Sequence, residues 1–398
     1  MTLRPRQAAL LVTALAALAG LVFLLRGGLL PANDAWAEAT DAFYDDRPRA
    51  AERLARQALA ERPLDGRAYA VLAQVALQRG ESAAARRFVA LALRHAPRDA
   101  NALMLAADLA LEGKDPAAAV APLDHLLRLY PQQAGAAEPQ LLRLAAQPAA
   151  HPALLQALQA EPPWRDRFLR RFANEASTRD ALPPLFEPLA AQGGLRPAEM
   201  AEYLGRYVRE GEVAEARRIW TRLAGQAAGA GDAPSDTALP ELIWDGGFEL
   251  AESLGSPFEW QVEQVAGVEA GRRLALRGSG HHLRLAFAGR RAGYRGVRQL
   301  LTLPPGRWQL SWESRYESLE TPQGLRWALR CVPANTELLA TPPRRGSADW
   351  RRETAAFTVP AEGCAGQWLQ LELHARIPAE TQARGTAWFD NLAVEPTW

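Results

Sequence analysis

Polar side chains recur on one face of three predicted strands late in the chain. The segments 308–316, 325–331 and 368–376 alternate apolar and polar residues, and successive residues of a β-strand point to opposite faces. The polar set combines carboxylates, guanidiniums, an imidazole and one indole: Glu313, Arg315, Arg330, Trp368, Glu372, His374 and Arg376. Planar polar groups can hydrogen-bond sugar hydroxyls, and an indole can stack on the apolar face of a sugar ring.

If these strands share a sheet, the polar set predicts a shallow glycan site with Glu313 and Arg330 at its edge. The alternative is a solvated sheet face that is held by cross-strand ion pairs. Glu313 and Glu372 could also serve glycoside hydrolysis if their carboxyl groups lay roughly 5 to 10 Å apart. The motifs G-x-S-x-G, H-E-x-x-H, C-x-x-C and the Walker loop are missing. We therefore expect a binding protein and not an enzyme.

The chain has two cysteines, Cys331 and Cys364. An even number of cysteines in an exported domain predicts a disulfide, which would contribute roughly 3 to 4 kcal/mol in the chain-entropy model. The alternative is a pair of buried free thiols.

The composition is that of an ordinary folded protein. The chain has 398 residues, of which 48% are hydrophobic and 23% charged, and its formal net charge is +1. The apolar content excludes a disordered chain, and the near-zero net charge argues against a nucleic-acid binder, which would carry a clustered basic excess. The length predicts two or three domains.

The N-terminus predicts a membrane anchor over residues 1–31. Residues 8–25 are apolar except for Thr13, and an extension to Leu30 gives roughly 35 Å of helix, enough to cross about 30 Å of hydrocarbon. Arg4 and Arg6 precede the run and acidic residues follow it, which favours a cytoplasmic N-terminus with the rest of the chain outside. The alternative is a signal peptide that is cleaved after the small-x-small sequence at 35–37.

A repeat follows the anchor. Pro63, Pro97 and Pro131 are spaced 34 residues apart, which is the period of a two-helix repeat. Three sets of mostly small residues keep the same phase: Ala39, Ala73 and Ala107; Ala51, Ala85 and Ala119; Ala58, Ala92 and Leu126. The pattern resembles the tetratricopeptide repeat family, whose helices cross closely at small residues and whose second helix ends at a proline.

The resemblance implies an α-helical solenoid over residues 32–224, with a concave face that holds a peptide or partner protein. The alternative is that the stack only spaces the C-terminal domain from the membrane. The phase is lost in a proline-rich stretch after Pro131, and a similar unit returns at 197–223. Residues 225–240 are small, polar and turn-forming, and they predict a linker.

The sequence pattern of residues 241–398 differs from that of the helical-repeat segment before it. Only Trp36, Trp164 and Trp220 of the 12 tryptophans come before residue 240, and short segments of period-two alternation follow it. This pattern predicts an antiparallel β-sandwich. Three motifs resemble the galactose-binding-like jelly rolls found as carbohydrate-binding modules: WDGGFE at 244–249, QLLTLPPGRWQL at 299–310 and WFDNL at 388–392. Asp245 stands where those modules usually have Asn.

In many such modules the opening Glu and the closing Asp help to hold a structural calcium ion. The resemblance therefore implies a Ca²⁺ site at Glu249 and Asp390, because hard carboxylate oxygens suit that ion. Both residues could equally cap turns.

Together these features predict a bitopic envelope protein: one transmembrane helix, a helical-repeat solenoid and a C-terminal jelly-roll sandwich in the periplasm. We expect it to couple a partner protein to a polysaccharide in surface-glycan assembly or export. The alternative is a purely protein-binding assembly scaffold with no glycan ligand.

The arginine asymmetry around the apolar run predicts the topology. A reporter fused after Trp398 should be active only outside the cytoplasm, and release of the chain from membranes should require detergent. Release by salt, or a mature N-terminus near Glu38, would contradict an uncleaved anchor.

Overall fold

A computed structural model describes residues 35–177, 179–192, 194–227, 242–250, 253–274 and 280–397. The predicted anchor and residues 228–240 of the predicted linker lie outside this part of the chain. In the part that is described, no helix is both long and apolar enough to cross a membrane. The chain forms two compact units, Met1–Ala137 and Glu138–Trp398.

The first unit is a stack of antiparallel helix pairs. Its helices are α1 Ala35–Tyr44, α2 Pro48–Glu61, α3 Gly66–Gln78, α4 Ser82–His95, α5 Ala100–Glu112 and α6 Pro116–Leu129, and α7 Ala134–Ala145 contains the unit boundary. The predicted repeat is confirmed, since Pro63, Pro97 and Pro131 each stand two residues after the end of a helix. The in-phase small residues are buried, and Ala51, Ala85 and Ala119 are all fully inaccessible.

The turns and caps of the first unit explain why its helices begin and end where they do. The tight turns inside the three pairs have positive φ at Asp46, Gly80 and Lys114, which are again 34 residues apart. The carboxylates of Asp65 and Asp99 cap α3 and α5 by accepting backbone N–H bonds, which satisfies donors that the helix itself leaves unpaired. Local chemistry therefore repeats with the same period as the buried small residues.

The second unit opens with further helices: α8 His151–Gln159, α9 Arg165–Glu175, α10 Pro183–Ala191, α11 Pro197–Arg209 and α12 Val213–Ala227. An ion pair links α9 to the start of α11, with Arg165 Nε 2.7 Å from Glu199 Oε1, and both side chains are buried. Equivalent helices start 32 residues apart at Arg165 and Pro197 and 30 apart at Pro183 and Val213, so the helix pairs continue here without the 34-residue period.

The rest of the second unit is a two-sheet antiparallel sandwich. Its strands are β1 Gln261–Val262, β2 Val268–Leu274, β3 His281–Arg291, β4 Val297–Leu301, β5 Gly306–Glu320, β6 Leu325–Pro333, β7 Glu337–Ala340, β8 Gly346–Val359, β9 Cys364–Leu373 and β10 Gln382–Pro396. We call β1-β4-β9-β6-β7 sheet A and β2-β3-β10-β5-β8 sheet B.

The predicted strand phase is confirmed. Trp308, Leu310 and Trp312 on β5 point into the core between the sheets, as do the apolar residues of β6 and β9. Trp327 packs edge-on against Phe389 from the other sheet, with ring centroids 5.5 Å apart.

The predicted disulfide is present between Cys331 and Cys364, which join neighbouring strands of sheet A.

Helices α11 and α12 pack on the sandwich, and Trp220 is the centre of that contact. The indole Nε1 donates to Glu259 Oε1 at 2.8 Å, and its ring lies edge-on to Trp244 at 5.1 Å. The other oxygen of Glu259 accepts hydrogen bonds from Ser253 Oγ and Leu254 N, so this buried carboxylate is fully partnered. A buried charge that is satisfied on both oxygens holds the helix in one position on the sandwich.

The guanidinium of Arg217 lies 4.5 Å from the ring centroid of Trp220 and 5.3 Å from that of Phe258. Its burial lowers its pKa to about 10. The contact therefore includes a cation stacked on two rings as well as the hydrogen-bonded carboxylate.

The compact units thus divide the chain earlier than the sequence predicted. The predicted division separated helices at 32–224 from a sandwich at 241–398, whereas the helices after residue 138 belong to the same unit as the sandwich. The reason is the apolar and hydrogen-bonded contact around Trp220. From the sequence alone, Trp220 would be assigned to a position inside a helical repeat.

Gly255 tests this contact. Its φ is +78°, and a Cβ there would lie 2.0 Å from the carbonyl oxygen of Pro197 at the start of α11. Gly289 is a matched control, because it has the same φ but a Cβ there would have no heavy atom within 4 Å. Gly289→Ala should cost about 1 to 2 kcal/mol of unfolding free energy for backbone strain, and Gly255→Ala about 1 to 3 kcal/mol more for the clash. Equal losses in denaturant unfolding of the full chain would contradict the contact.

Candidate functional site

The structure divides the predicted glycan residues between the two sheets. Trp368 and Glu372 lie on β9 and Arg330 on β6, all in sheet A, whereas Glu313 and Arg315 lie on β5 in sheet B. His374 and Arg376 follow the end of β9 in a connecting segment. The condition that these strands share a sheet is not met, because the consecutive strands β5 and β6 belong to opposite sheets. The seven residues therefore do not form one site, and Glu313 and Glu372 are not a catalytic pair.

On sheet A, Glu372 is the centre of an ion-pair cluster. Its side chain is only 3% exposed, and it accepts hydrogen bonds from Arg326 Nη2 at 2.8 Å and Arg330 Nη2 at 2.9 Å. Burial alone would raise the pKa of Glu372, but the hydrogen bonds from Arg330 and Arg326 outweigh it and the pKa lies below its ordinary value. The carboxylate and both guanidiniums thus satisfy one another across the strands.

Trp368 also has a partner on sheet A. The guanidinium of Arg298 lies 4.6 Å from the centroid of its ring. Further along the same face of β9, Gly366 lies against Val213 of α12, and a Cβ on Gly366 would come within 2.8 Å of that side chain. The outer face of sheet A is therefore taken up by ion pairs, by Arg298 and by the packed helices.

The outer face of sheet B carries a different set of side chains. We call Trp350 on β8, Trp388 on β10, Arg315 on β5 and His282 on β3 the indole face. Trp350 is 39% exposed, and its ring centroid lies 6.0 Å from that of His282. The guanidinium of Arg315 lies 4.8 Å from the ring of Trp388, its cross-strand neighbour.

A polar groove adjoins the indole face. Glu313 and Arg315 alternate on β5, so they share the outer face of sheet B. Glu313 Oε2 accepts from Asn391 Nδ2 at 3.3 Å, and Arg352 donates to Ser311 Oγ at 3.3 Å. Glu313, Arg352 and Asn391 line a cavity of about 540 Å³. Asn391 has φ of +51° where the β5–β10 register shifts, so a β-bulge places its amide there.

Burial sets the protonation of two groups near this groove. Burial lowers the pKa of His282, and the charges of His281, Arg284 and Arg315 lower it further, so the imidazole is neutral at neutral pH. Burial raises the pKa of Asp390 to about 6, with the nearby carboxylates of Glu313, Glu249 and Asp245 adding to the shift.

The calcium site at Glu249 and Asp390 stays a prediction, and the two carboxylates lie close enough for the charge of Glu249 to raise the pKa of Asp390. Both oxygens of Glu249 are engaged by His281, through its backbone N and ring Nδ1, each at 2.9 Å. Asp390 Oδ1 accepts from the backbone N of Asn391 at 2.7 Å. Among the described residues, no three His, Cys, Asp or Glu side chains converge as metal ligands. Glu249 thus binds the first residue of β3, and Asp390 accepts from the backbone of the residue that follows it.

The two indoles of sheet B were not predicted from the sequence. Trp388 precedes Phe389, whose ring is in the core, so strand alternation alone would have placed Trp388 on the outer face. Trp350 lies in the segment ADWRRE, which does not alternate, so no periodic signal marked it.

Comparison with known proteins bears on both halves of the chain. Residues 42–109 match the family model for the tetratricopeptide repeat. The chain carries tetratricopeptide repeats at its N-terminal end, and its C-terminal sandwich is similar to carbohydrate-binding modules. No curated protein matches the chain.

Three solved structures illustrate these likenesses. A structure titled "CBM4 structure and function" is 16% identical, covers 39% of this chain and 99% of its own, and has a TM-score of 0.30. The CBM22-1 xylan-binding domain of Paenibacillus barcinonensis Xyn10C is 13% identical, with coverage of 39% and 94% and a TM-score of 0.27. The pilF protein of Pseudomonas aeruginosa is 18% identical, with coverage of 50% and 92% and a TM-score of 0.29.

The Glu372 cluster predicts an acid-sensitive step in unfolding. Because its folded pKa is depressed below 4.5, the cluster contributes stability above that pH, and the contribution is lost as pH falls through the lower folded pKa. Glu372→Gln should cost about 2 to 3 kcal/mol at pH 7, because two half-buried guanidiniums would keep only the exposed Glu337 as a shared acidic partner, and it should flatten the loss of stability below pH 4.5.

Glu269→Gln is the matched control for this measurement. Its partner Arg273 is exposed, so removal of that pair should leave denaturant unfolding nearly unchanged at either pH. An equal effect of the two substitutions would contradict the assigned role of Glu372.

Proposed function

We propose that this protein is an exported, membrane-anchored scaffold that couples a partner protein to a polysaccharide in surface-glycan assembly or export. The anchor proposal is supported by the apolar run at residues 8–25 and the arginines before it. It places the N-terminus in the cytoplasm and both compact units in the periplasm. The partner protein binds the concave face of the helical repeats, which is supported by the family match at residues 42–109.

The observation that carries the glycan proposal is the contrast between the two sheet faces. On sheet A the guanidiniums of Arg326 and Arg330 are bound to Glu372, and Arg298 lies over Trp368. On sheet B, Trp350 offers an exposed ring beside a groove that is lined by carboxylate, guanidinium and amide groups. A sugar ring stacked on Trp350 would bring its hydroxyls to these polar groups, which is the combination that sugar recognition requires.

The proposal is for binding without hydrolysis. The pair that sequence offered for glycoside hydrolysis, Glu313 and Glu372, is split between opposite sheets, and Glu372 is buried under its arginines. The groove on sheet B is lined by Glu313, Arg352 and Asn391, and the alternation on β5 and β8 places Arg315 and Trp350 two residues from Glu313 and Arg352 on the same face.

Trp350→Ala tests the glycan proposal, and Trp368→Ala is its matched control on the other sheet. If a stacked indole contributes roughly 1 to 2 kcal/mol, Trp350→Ala should weaken binding about tenfold in a glycan array or titration calorimetry with the full chain. Trp368→Ala should leave binding unchanged, and neither change should move the melting temperature by more than a few degrees.

Trp312→Ala separates loss of fold from loss of ligand. It removes a buried core indole and should cost roughly 3 to 5 kcal/mol of unfolding free energy. Loss of binding in Trp368→Ala with full binding in Trp350→Ala would return the site to sheet A. No binding to any glycan, with capture of a protein partner intact, would favour the purely protein-binding scaffold.

A further inference from the structure

One face of the first unit carries an array of arginines without acidic partners. Within the described residues, no ion pair forms at Arg49 and Arg53 on α2 or at Arg86, Arg87 and Arg94 on α4, and all five side chains are exposed. We call these five residues the basic stripe. Helix α4 has no Asp or Glu anywhere in its 14 residues. Most other arginines of the unit's helices are paired, as Arg56 is with Glu52 and Arg128 with Asp124.

The repeat places these arginines on the same side of the stack. Helices α2 and α4 are the second helices of successive pairs, so residues 34 apart occupy equivalent positions. Arg53 and Arg87 are such a pair. On α4, Arg87 and Arg94 lie opposite the buried Ala85, Val89 and Ala92, and Arg86 lies about 100° around the helix from Arg87, at the flank of that face. Arg49, Arg53, Arg87 and Arg94 therefore share one face of the stack across two repeats, with Arg86 at its flank.

The chain length between the predicted anchor and this surface is short. Four residues, 31–34, separate Leu30 from Ala35 at the start of α1. At no more than about 3.6 Å per residue they span less than about 20 Å. A unit tethered this closely stays beside the bilayer, where anionic headgroups attract each nearby arginine.

We infer that the basic stripe docks on the anionic phospholipid surface of the membrane that the anchor crosses. The inference rests on the anchor in the proposed function. The contact is electrostatic, since the exposed side chains of the stripe are guanidiniums, and it weakens as salt screens the charges. Docking would hold the first unit against the bilayer.

Arginine modification tests the docking. The full chain is reconstituted in vesicles of phosphatidylcholine alone or mixed with phosphatidylglycerol, and phenylglyoxal modification is followed at each arginine by mass spectrometry. The stripe should be modified several-fold more slowly in the anionic vesicles, and high salt should remove the difference. Arg295 is the internal control, because its side chain is 68% exposed and it lies in the sandwich.

An R86Q/R87Q/R94Q variant sharpens the test. These positions are exposed and glutamine is a good helix former, so circular dichroism should show an unchanged fold. Loss of three charges should weaken the lipid attraction about a hundredfold, and Arg49 and Arg53 should then lose their protection.

Each other outcome has a defined meaning. Equal modification in both vesicles, with the chain still anchored, would overturn the docking and leave the anchor intact. Protection by soluble polygalacturonate but not by phosphatidylglycerol would overturn it in favour of an acidic polysaccharide. If an alkaline wash releases the chain, the anchor has failed. Salt-sensitive sedimentation of the released chain with anionic vesicles would then uphold the docking, and no sedimentation would overturn it.

Discussion

The hydrogen bond between Trp220 and the buried carboxylate of Glu259 positions the elements that define the site. It holds α12 on the sandwich, with Trp244 and Phe258 packed around the same indole. Because α12 also lies against Gly366 on β9, this contact covers part of the outer face of sheet A. The helices after residue 138 and the sandwich consequently form one unit, and sheet B is left as the sheet whose outer face offers an exposed indole.

Electrostatics separate the two faces further. Sheet A concentrates its charges in a closed set, where a 3% exposed carboxylate meets two guanidiniums at hydrogen-bonding distance. Near the indole face of sheet B the ion pair between Arg315 and Glu317 is looser, with a separation of 3.7 Å, and both side chains are exposed. Loosely held groups keep hydrogen-bonding capacity for a ligand, whereas a closed cluster would lose its own bonds on binding one. The same polar residue types thus stabilise one face and leave the other available.

Local sequence patterns predicted the individual helices and strands, but they did not predict how these elements pack together. The 34-residue spacing of Pro63, Pro97 and Pro131 predicted the helix pairs, because the constraint on each turn lies within one repeat. Alternation on β5 predicted that Trp312 is buried, because side-chain direction has a period of two. Alternation does not specify which sheet a strand joins, so Arg315 and Trp368 were assigned to one face although they lie in opposite sheets. The packing of α12 on the sandwich could not be predicted from the sequence either, because Trp220 fits a position of the helical repeat and also contacts the sandwich.

The central claim is that the ligand face is the outer face of sheet B, and NMR of the tryptophan indoles tests it most directly. The ¹⁵N-labelled full chain is titrated with oligosaccharide fragments, and the Nε1–H signals are assigned by single Trp→Phe substitutions. The signals of Trp350 and Trp388 should move in step with saturation while those of Trp368 and the buried Trp312 stay in place. Movement of the Trp368 signal without that of Trp350 would contradict the claim.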